Sequence, residues 1–429
     1  MAQGYHVPNQ LHYSQVAIAW LTEPKTHAIA AQVAGWNDDA WEAARWAIQV
    51  HGIGPLLHHT LVGKPGAEAL HPQLRRYLAE QYRLSGERVA LLLSELAELL
   101  HACRAAGIDV LPLKGSLLAA GYYAEPGLRP MNDLDVLVHP KDEPSLVKLL
   151  AQLGYQPLAR SWKHLMLARP EGRGPIVSWD GEHPANPRSL DLHIQLEEQF
   201  WGLRYDLTSS AWAGAEPGML LGVETRLMRP TALLHHLAVH ASNDAIARRI
   251  RLLHLQDIAL VALEVDDQGW QQILGWAGEQ REQRLIYPAL AFTSRYYPVV
   301  PATVLHELRA GVPPALLRHL DESTLDRFSF CNIAPTSLGE RLLWFRPGRE
   351  RATALRHMLL PDAGEIAAWY PALARPALLP LAYARYGAEI IGWAVRRALG
   401  RPRWKLAHTH QGRPTPVEEG VGAEEQFGA

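Results

Sequence analysis

Met131-Asn132-Asp133-Leu134-Asp135-Val136-Leu137-Val138 alternates acid and aliphatic side chains and then runs on as an apolar end. Successive side chains of a strand point to opposite faces. A strand here therefore sets Asp133 and Asp135 on one face, with Leu134 and Val136 on the other. Two carboxylates about 7 Å apart on one strand repel each other unless a cation lies between them. Mg2+ is the natural candidate, because it takes oxygen ligands and binds through one or two carboxylates together with substrate phosphate. An isolated Asp-x-Asp is more plainly read as a solvated strand end, so its neighbours have to separate the two readings.

Two segments do so. Ser189-Leu190-Asp191-Leu192-His193-Ile194-Gln195-Leu196 also alternates, which places Asp191, His193 and Gln195 on one face. Paired beside the first strand, it would bring Asp191 next to Asp133 and Asp135. Three carboxylates on adjacent strands make a two-metal phosphoryl-transfer site chemically sensible. Upstream, Lys114-Gly115-Ser116 lies between a short strand expected at Ile108–Leu113 and a helix expected at Gly115–Tyr123. Backbone N–H groups at such a helix start favour phosphate, and Lys114 and the Ser116 hydroxyl add a charge and a donor.

Around this centre the chain reads as helices. Val89, Leu92, Leu93, Leu96, Leu100 and Cys103 share one stripe of a helix from Arg88 that Gly107 ends. Pro144–Leu153 is a second helix, stopped by Gly154. Beyond Pro230, helices are expected over Thr231–Ala241, Ala245–Val261 and Gly269–Gln283. The organisation expected is an N-terminal helical region at 1–85, a β-α-β-containing core at 86–225 and a C-terminal helical region at 226–400. A disordered tail is expected at 401–429, where no core-forming pattern exists.

Composition bounds the function. The 429 residues are 48% hydrophobic and 20% charged, which rules out disorder throughout. Forty-two Lys and Arg against 44 Asp and Glu leave a formal charge of −2, so no global basic field exists to hold a long nucleic acid. Two cysteines, Cys103 and Cys331, exclude a disulfide framework and suit a cytoplasmic protein. The first fifteen residues have neither a basic n-region nor an apolar h-region, so no signal peptide is expected. The apolar stretch Pro376–Leu399 is interrupted by Arg385, Glu389, Arg396 and Arg397 and reads as a packed helix, not a membrane span.

The run Leu113-Lys114-Gly115-Ser116, Tyr123, Pro126-Gly127-Leu128-Arg129-Pro130, Asp133-Leu134-Asp135 and Asp191-Leu192-His193 resembles the uncharacterised nucleotidyltransferase family of the DNA polymerase β-like superfamily. The resemblance extends over roughly residues 20–300. One departure is the long interval 170–188 before Asp191, with Pro184 and Pro187. The family likeness implies an α+β fold, a small mixed-sheet polymerase β-like nucleotidyltransferase core embedded in N- and C-terminal helical regions. It also implies a Mg2+-dependent transferase, with two ions held by Asp133, Asp135 and Asp191. An NMP, AMP from ATP, would pass to a hydroxyl or similar group of a small molecule, peptide or protein, releasing pyrophosphate. Asp133 and Asp135 would ligate both ions, while Asp191 would ligate the one beside the nucleophile and take its proton. Lys114, Gly115 and Ser116 would hold the β- and γ-phosphates. Arg129 would either clamp the triphosphate or pair with a carboxylate.

His193, His240, Arg251 and Asp257 are the remaining candidates, as substrate contacts or supports of the acids. His236 and His240 stand at i, i+4 but lack the Glu of a His-Glu-x-x-His zinc site, and the resemblance turns His240 toward the nucleotide. Arg251, His254 and Asp257 form one polar helix edge, which is ordinarily a surface ion-pair network. Fourteen tryptophans, Trp162, Trp179, Trp201 and Trp212 among them, read mainly as packing, and the basic run 395–405 as a solvated helix end. Two readings compete with nucleotidyl transfer. One is kinase-like transfer of the γ-phosphoryl on the same carboxylates, and the other a non-catalytic nucleotide-binding or toxin–antitoxin partner.

Overall fold

The computed structural model describes residues 7–22, 33, 35–61, 67–160, 164–178, 183–279, 281–330 and 337–398. The chain forms two compact units, divided between Ala354 and Leu355. Cys331, Trp162, Trp179, the basic residues at 401–405 and the tail 401–429 lie outside the described residues.

The first unit opens with helices α1 (Val7–Thr22), α2 (Asp38–His51) and α3 (Gly54–Leu61). Asn37 starts α2 by accepting the Ala40 N–H on its side chain, which satisfies one of the donors a helix start leaves over. The long helix α4 (Pro72–Ala106) buries Val89, Leu92, Leu93, Leu96, Leu100 and Cys103, the stripe the spacing predicts. It ends where Gly107 takes the left-handed conformation at φ 67, a position that favours glycine.

Next come β1 (Val110–Pro112), α5 (Lys114–Gly121), β2 (Asp133–Val138), α6 (Glu143–Gln152), β3 (Gln156–Arg160), β4 (His164–Ala168) and β5 (Ser189–His193). The five strands form one sheet in the order β1-β2-β5-β4-β3. Only the β2–β5 pair is parallel, so the sheet is mixed. Leu134, Val136, Val138, Leu190 and Leu192 are all buried, and α4 lies in contact with β2. Two hairpins follow, β6 (Glu197–Phe200) with β7 (Leu203–Asp206), and β8 (Ala215–Leu220) with β9 (Val223–Met228), separated by the short α7 (Thr208–Ala213). The rest of the unit is helical. Among the described residues it contains α8 (Pro230–Ile246), α9 (Leu252–Ala262), α10 (Asp267–Glu279), α11 (Gln283–Tyr296) and five further helices, the last of them Arg349–Leu359, which runs across the division. This is the α+β architecture the sequence implies, a small mixed sheet set among helices. The second unit has a small core of Ile366, Tyr370 and Ala382, packed on by Trp369, Tyr383 and Tyr386. Among the described residues no helix is long and apolar enough to cross a membrane.

Three expected elements differ. The helix expected over Ala245–Val261 is two helices, α8 and α9, because the chain turns at Arg248, which sits at φ 55. The one expected over Gly269–Gln283 ends at Glu279, and α11 begins at Gln283. The alternation of Ser189–Leu196 holds as strand only to His193, so Gln195 does not extend the Asp191 face.

Candidate active site

Strand register assembles the acids. Asp135 is the direct partner of Asp191 across the parallel β2–β5 pair, and Asp133 faces Ser189 one step earlier. Partners in register point to the same side, so Asp133, Asp135 and Asp191 share one face, on strands about 4.8 Å apart. Asp135 and Asp191 are buried and Asp133 is half-buried. The long 170–188 interval does not displace Asp191, because a buried arginine secures it. The Arg88 guanidinium of α4 donates to the carbonyls of Met131 and Asn132 before β2, and to those of His183, Asn186 and Pro187 before β5. One side chain thus fixes the approach of both acid-bearing strands.

Cations and imidazoles meet the acids. Lys114 Nζ lies 3.5 Å from Asp135 Oδ1. Burial pushes the Lys114 ammonium down, but the carboxylates of Asp135, Glu198, Asp133 and Asp191 outweigh this and hold it above its ordinary value. Lys114 therefore stays charged at neutral pH. Its backbone is at φ 42, a left-handed conformation that a non-glycine residue adopts at a cost of about 1–2 kcal/mol. His193 Nε2 is 2.9 Å from Asp135 Oδ1, and His164 Nε2, from β4, is 3.3 Å from Asp191 Oδ2.

The rest of the motif has supporting roles. Ser116 is fully buried and its Oγ accepts the backbone N–H of Asp135 at 2.8 Å, which differs from the phosphate-facing hydroxyl expected from the sequence. The hydroxyl serves the strand instead, since the Asp135 N–H points back toward the start of α5. Arg129 adopts the second of its two expected roles. Its Nε and Nη2 donate to the two oxygens of Asp257 at 2.9 and 2.8 Å, and Tyr123 Oη donates to Asp257 Oδ1 at 2.8 Å. Gly115 is shaped by the same pair, because a Cβ there would lie 2.5 Å from Arg129 Nη1. Gly127 answers a second close approach, its added Cβ meeting Gly86 Cα of α4 at 2.7 Å. Asp257 on α9 thus ties the helical region to the loop feeding β2.

A second polar group adjoins Lys114. Glu198 on β6 is buried, receives the Asn243 side-chain N–H at 2.9 Å and lies 2.8 Å from His240 Nδ1. His240 Nε2 is 3.7 Å from Asp244, and His254 Nδ1 is 3.5 Å from the same carboxylate. Arg251 Nε is 3.4 Å from His254 Nε2. Burial and then the charges of Arg251, His240, Arg129 and Lys114 hold the His254 imidazole well below its ordinary value. The structure therefore gathers His240, Arg251 and Asp257 around the acidic face through their partners. Glu198 was missed from the sequence, because Glu197-Glu198-Gln199 reads as a solvated run. The available signal was its place between Leu196 and Phe200 at strand spacing, which sets Glu198 on the face of two apolar residues.

The sequence model described as uncharacterised nucleotidyltransferase matches residues 37–298. Solved structures similar to this chain include the antibiotic-resistance factor ANT(2'')-Ia, at 13% identity over 49% of this chain and 100% of that one, with a TM-score of 0.33. Another is an antigenic nucleotidyltransferase-like protein from Paracoccidioides brasiliensis, at 16% identity over 50% of this chain and 96% of that one, with a TM-score of 0.28. No curated protein matches the chain.

Proposed function

The chain belongs to the uncharacterised nucleotidyltransferase family and is a transferase; from that premise we propose that it moves AMP from ATP to a hydroxyl of a small molecule, peptide or protein, with release of pyrophosphate. We assign the nucleotidyltransferase core to residues 86–225, with helical regions at 1–85 and 226–400, in a cytoplasmic protein. The observation that carries the reading is the in-register pairing of Asp135 with Asp191, Asp133 being on the same face.

The donor set fits a divalent ion. Carboxylate oxygens on neighbouring strands are hard ligands, and leaving them together with no cation would be costly. Asp133, Asp135 and Asp191 would hold two Mg2+ ions, which when bound lower the pKa of the attacking oxygen and neutralise charge on the phosphates.

The protein's own groups account for the rest. The acceptor oxygen bonds to the α-phosphorus as the bridge to the β-phosphate breaks, and pyrophosphate carries away the electron pair. Asp191, facing the acceptor side, takes the hydroxyl proton. Lys114, a fixed cation at neutral pH, lies against the β- and γ-phosphates and offsets charge that grows on the leaving group. The Gly115 backbone beside it allows the phosphate chain to approach closely. Arg129 and Asp257 act on the substrate through the loop they brace, and the Glu198–His240 pair lines the approach to Lys114. His193 steadies Asp135 from within the sheet.

The test is incubation with ATP labelled at the α- or the γ-phosphate plus candidate acceptors, comparing the native chain with Asp133→Asn. Label is expected to transfer from the α-position only. The variant should lose about a thousandfold in rate, the several kcal/mol that a metal-holding carboxylate contributes to the transition state. Transfer of the γ-label would establish kinase-like chemistry on the same acids. ATP binding with no transfer of either label would favour a non-catalytic partner.

A further inference from the structure

The acidic face carries more than acids. Strand β4 pairs antiparallel with β5 so that His164 stands opposite His193 and Met166 opposite Asp191. Alternate positions share a face, so His164, Asp191 and His193 project to the same side of the sheet. One ligand atom from each lies within 4.8 Å of the other two. The rings of His164 and His193 have centroids 5.1 Å apart. His193 is buried, and the His164 side chain is 20% exposed, so the cluster has a closed inner wall and one open side.

We propose that His164, Asp191 and His193 form a mixed nitrogen–oxygen metal site that takes a first-row transition ion, Mn2+ in preference to Mg2+, at the nucleophile side of the centre. The proposal rests on the nucleotidyl-transfer reading for its place in the reaction, while the ligand set itself is read from strand register. Mg2+ is a hard ion that holds water and oxygen ligands and gains little from imidazole. Imidazole draws first-row transition ions where Mg2+ gains little, and among these Mn2+ is the one that carboxylate suits as well. Two neutral nitrogens and one carboxylate leave a net positive charge on a bound divalent ion, suited to an ionising acceptor oxygen. The open side matches catalytic metal sites, which keep a position for water or substrate beside three protein ligands. Asp135 Oδ1, 2.9 Å from His193 Nε2, stands at the edge of the same cluster and joins it to the Asp133 side. The rival arrangement has both rings outside, each orienting a carboxylate as imidazoles do around many metal sites.

The experiment is titration of the full-length protein with Mn2+ alone, read by pulsed EPR for 14N coupling, with His164→Gln and His193→Gln beside it. Because His193 is buried and its variant risks misfolding, the partly exposed His164 is the deciding position. Nitrogen coupling in the native chain is expected, reduced in His164→Gln, with Mn2+ affinity lower by at least about tenfold. Equimolar Mg2+ should leave the coupled signal in place. Mn2+ bound through oxygen alone, no Mn2+ binding, or displacement by equimolar Mg2+ would each overturn the proposal. If any of these occurred while the α-label still moved with Mg2+, the nucleotidyl-transfer reading would stand without the histidine ligands. Nitrogen-coupled Mn2+ with no label transfer under any ion would retain the site and remove the reaction assigned to it.

Discussion

At the scale of single residues, His254 and Gly115 show what surrounds the acids. His254 is half-buried beside Arg251, with Asp244 at 3.5 Å and the His240 ring 6.0 Å away. Its folded pKa lies well below that of the unfolded chain, so between the two values the unfolded state binds the extra proton. Stability is therefore intact above about pH 6.5 and falls as the pH drops below it, by up to about 1.4 kcal/mol per pH unit. His254→Asn should flatten that slope, and chemical denaturation at about pH 7.5, 6.0 and 5.0, on both sides of the ordinary histidine value, would reveal a slope left unchanged. Lys114 behaves oppositely. Its folded value is raised, so its contribution is present below the unfolded value and lost only as the pH rises through the folded one, outside the neutral range. At Gly115 a methyl group would drive Arg129 Nη1 from a position only 2.5 Å from the new Cβ, and the buried Asp257 would lose part of its bidentate partner. Breaking such a pair costs about 3–5 kcal/mol, so Gly115→Ala should lower the melting temperature along with activity. An unchanged melting temperature would show that the guanidinium yields without loss. The sequence put a glycine and an arginine in the motif for phosphate. The fold shows that each also requires the other, a contact between Gly115 and Arg129 that no local pattern encodes.

Between elements, the central linkage is the one from α4 to the acidic strands. Arg88 is almost wholly buried, and its hydrogen bonds to five carbonyls on two loops come from one planar group with five N–H donors. Arg88→Met should cost about 3–4 kcal/mol, near the upper range for a single substitution, because buried carbonyls lose a charged donor. Arg88→Lys should rescue little, since a compact ammonium cannot span both loops. Hydrogen exchange should rise first in the stretches before β2 and β5. Exchange that rose uniformly across the unit would refute a local role. The strands themselves were legible, because Ser189–His193 alternates strictly and Asp133–Val138 alternates and then ends in an apolar β-branched run, with polar or irregular residues at their boundaries. Their pairing was legible only through the carboxylates, which have no reason to share a strand face without a common cation. The turn at Arg248 was not legible. Its left-handed conformation falls on an arginine inside a polar Ala-Arg-Arg run that helical periodicity accommodates, and only tertiary packing of α8 and α9 separates the two.

Across the whole molecule, the residues proposed to act fall between 114 and 257, within the unit that ends at Ala354 and inside the family match over 37–298. The division at 354 leaves no mark in composition, because the helix Arg349–Leu359 runs through it without a glycine or proline. Charge, by contrast, was readable at once. With 42 basic and 44 acidic side chains, the arginines that the core buries are engaged internally: Arg88 by carbonyls, Arg129 by Asp257, Arg248 by Glu340 and Arg284 by the Trp344 carbonyl and Glu350. The near balance of basic and acidic side chains leaves no global field to hold an acceptor along a basic groove. Transfer to the true acceptor should then depend weakly on salt, with kcat/KM changing by less than about tenfold between roughly 50 and 200 mM, against about 10³–10⁵ for a protein that neutralises six to ten phosphates of a polynucleotide. Measured at fixed nucleotide and metal, a steep logarithmic fall would mean that a basic track exists for a nucleic-acid acceptor. A shallow one leaves a short acceptor, recognised by contacts other than its backbone charge.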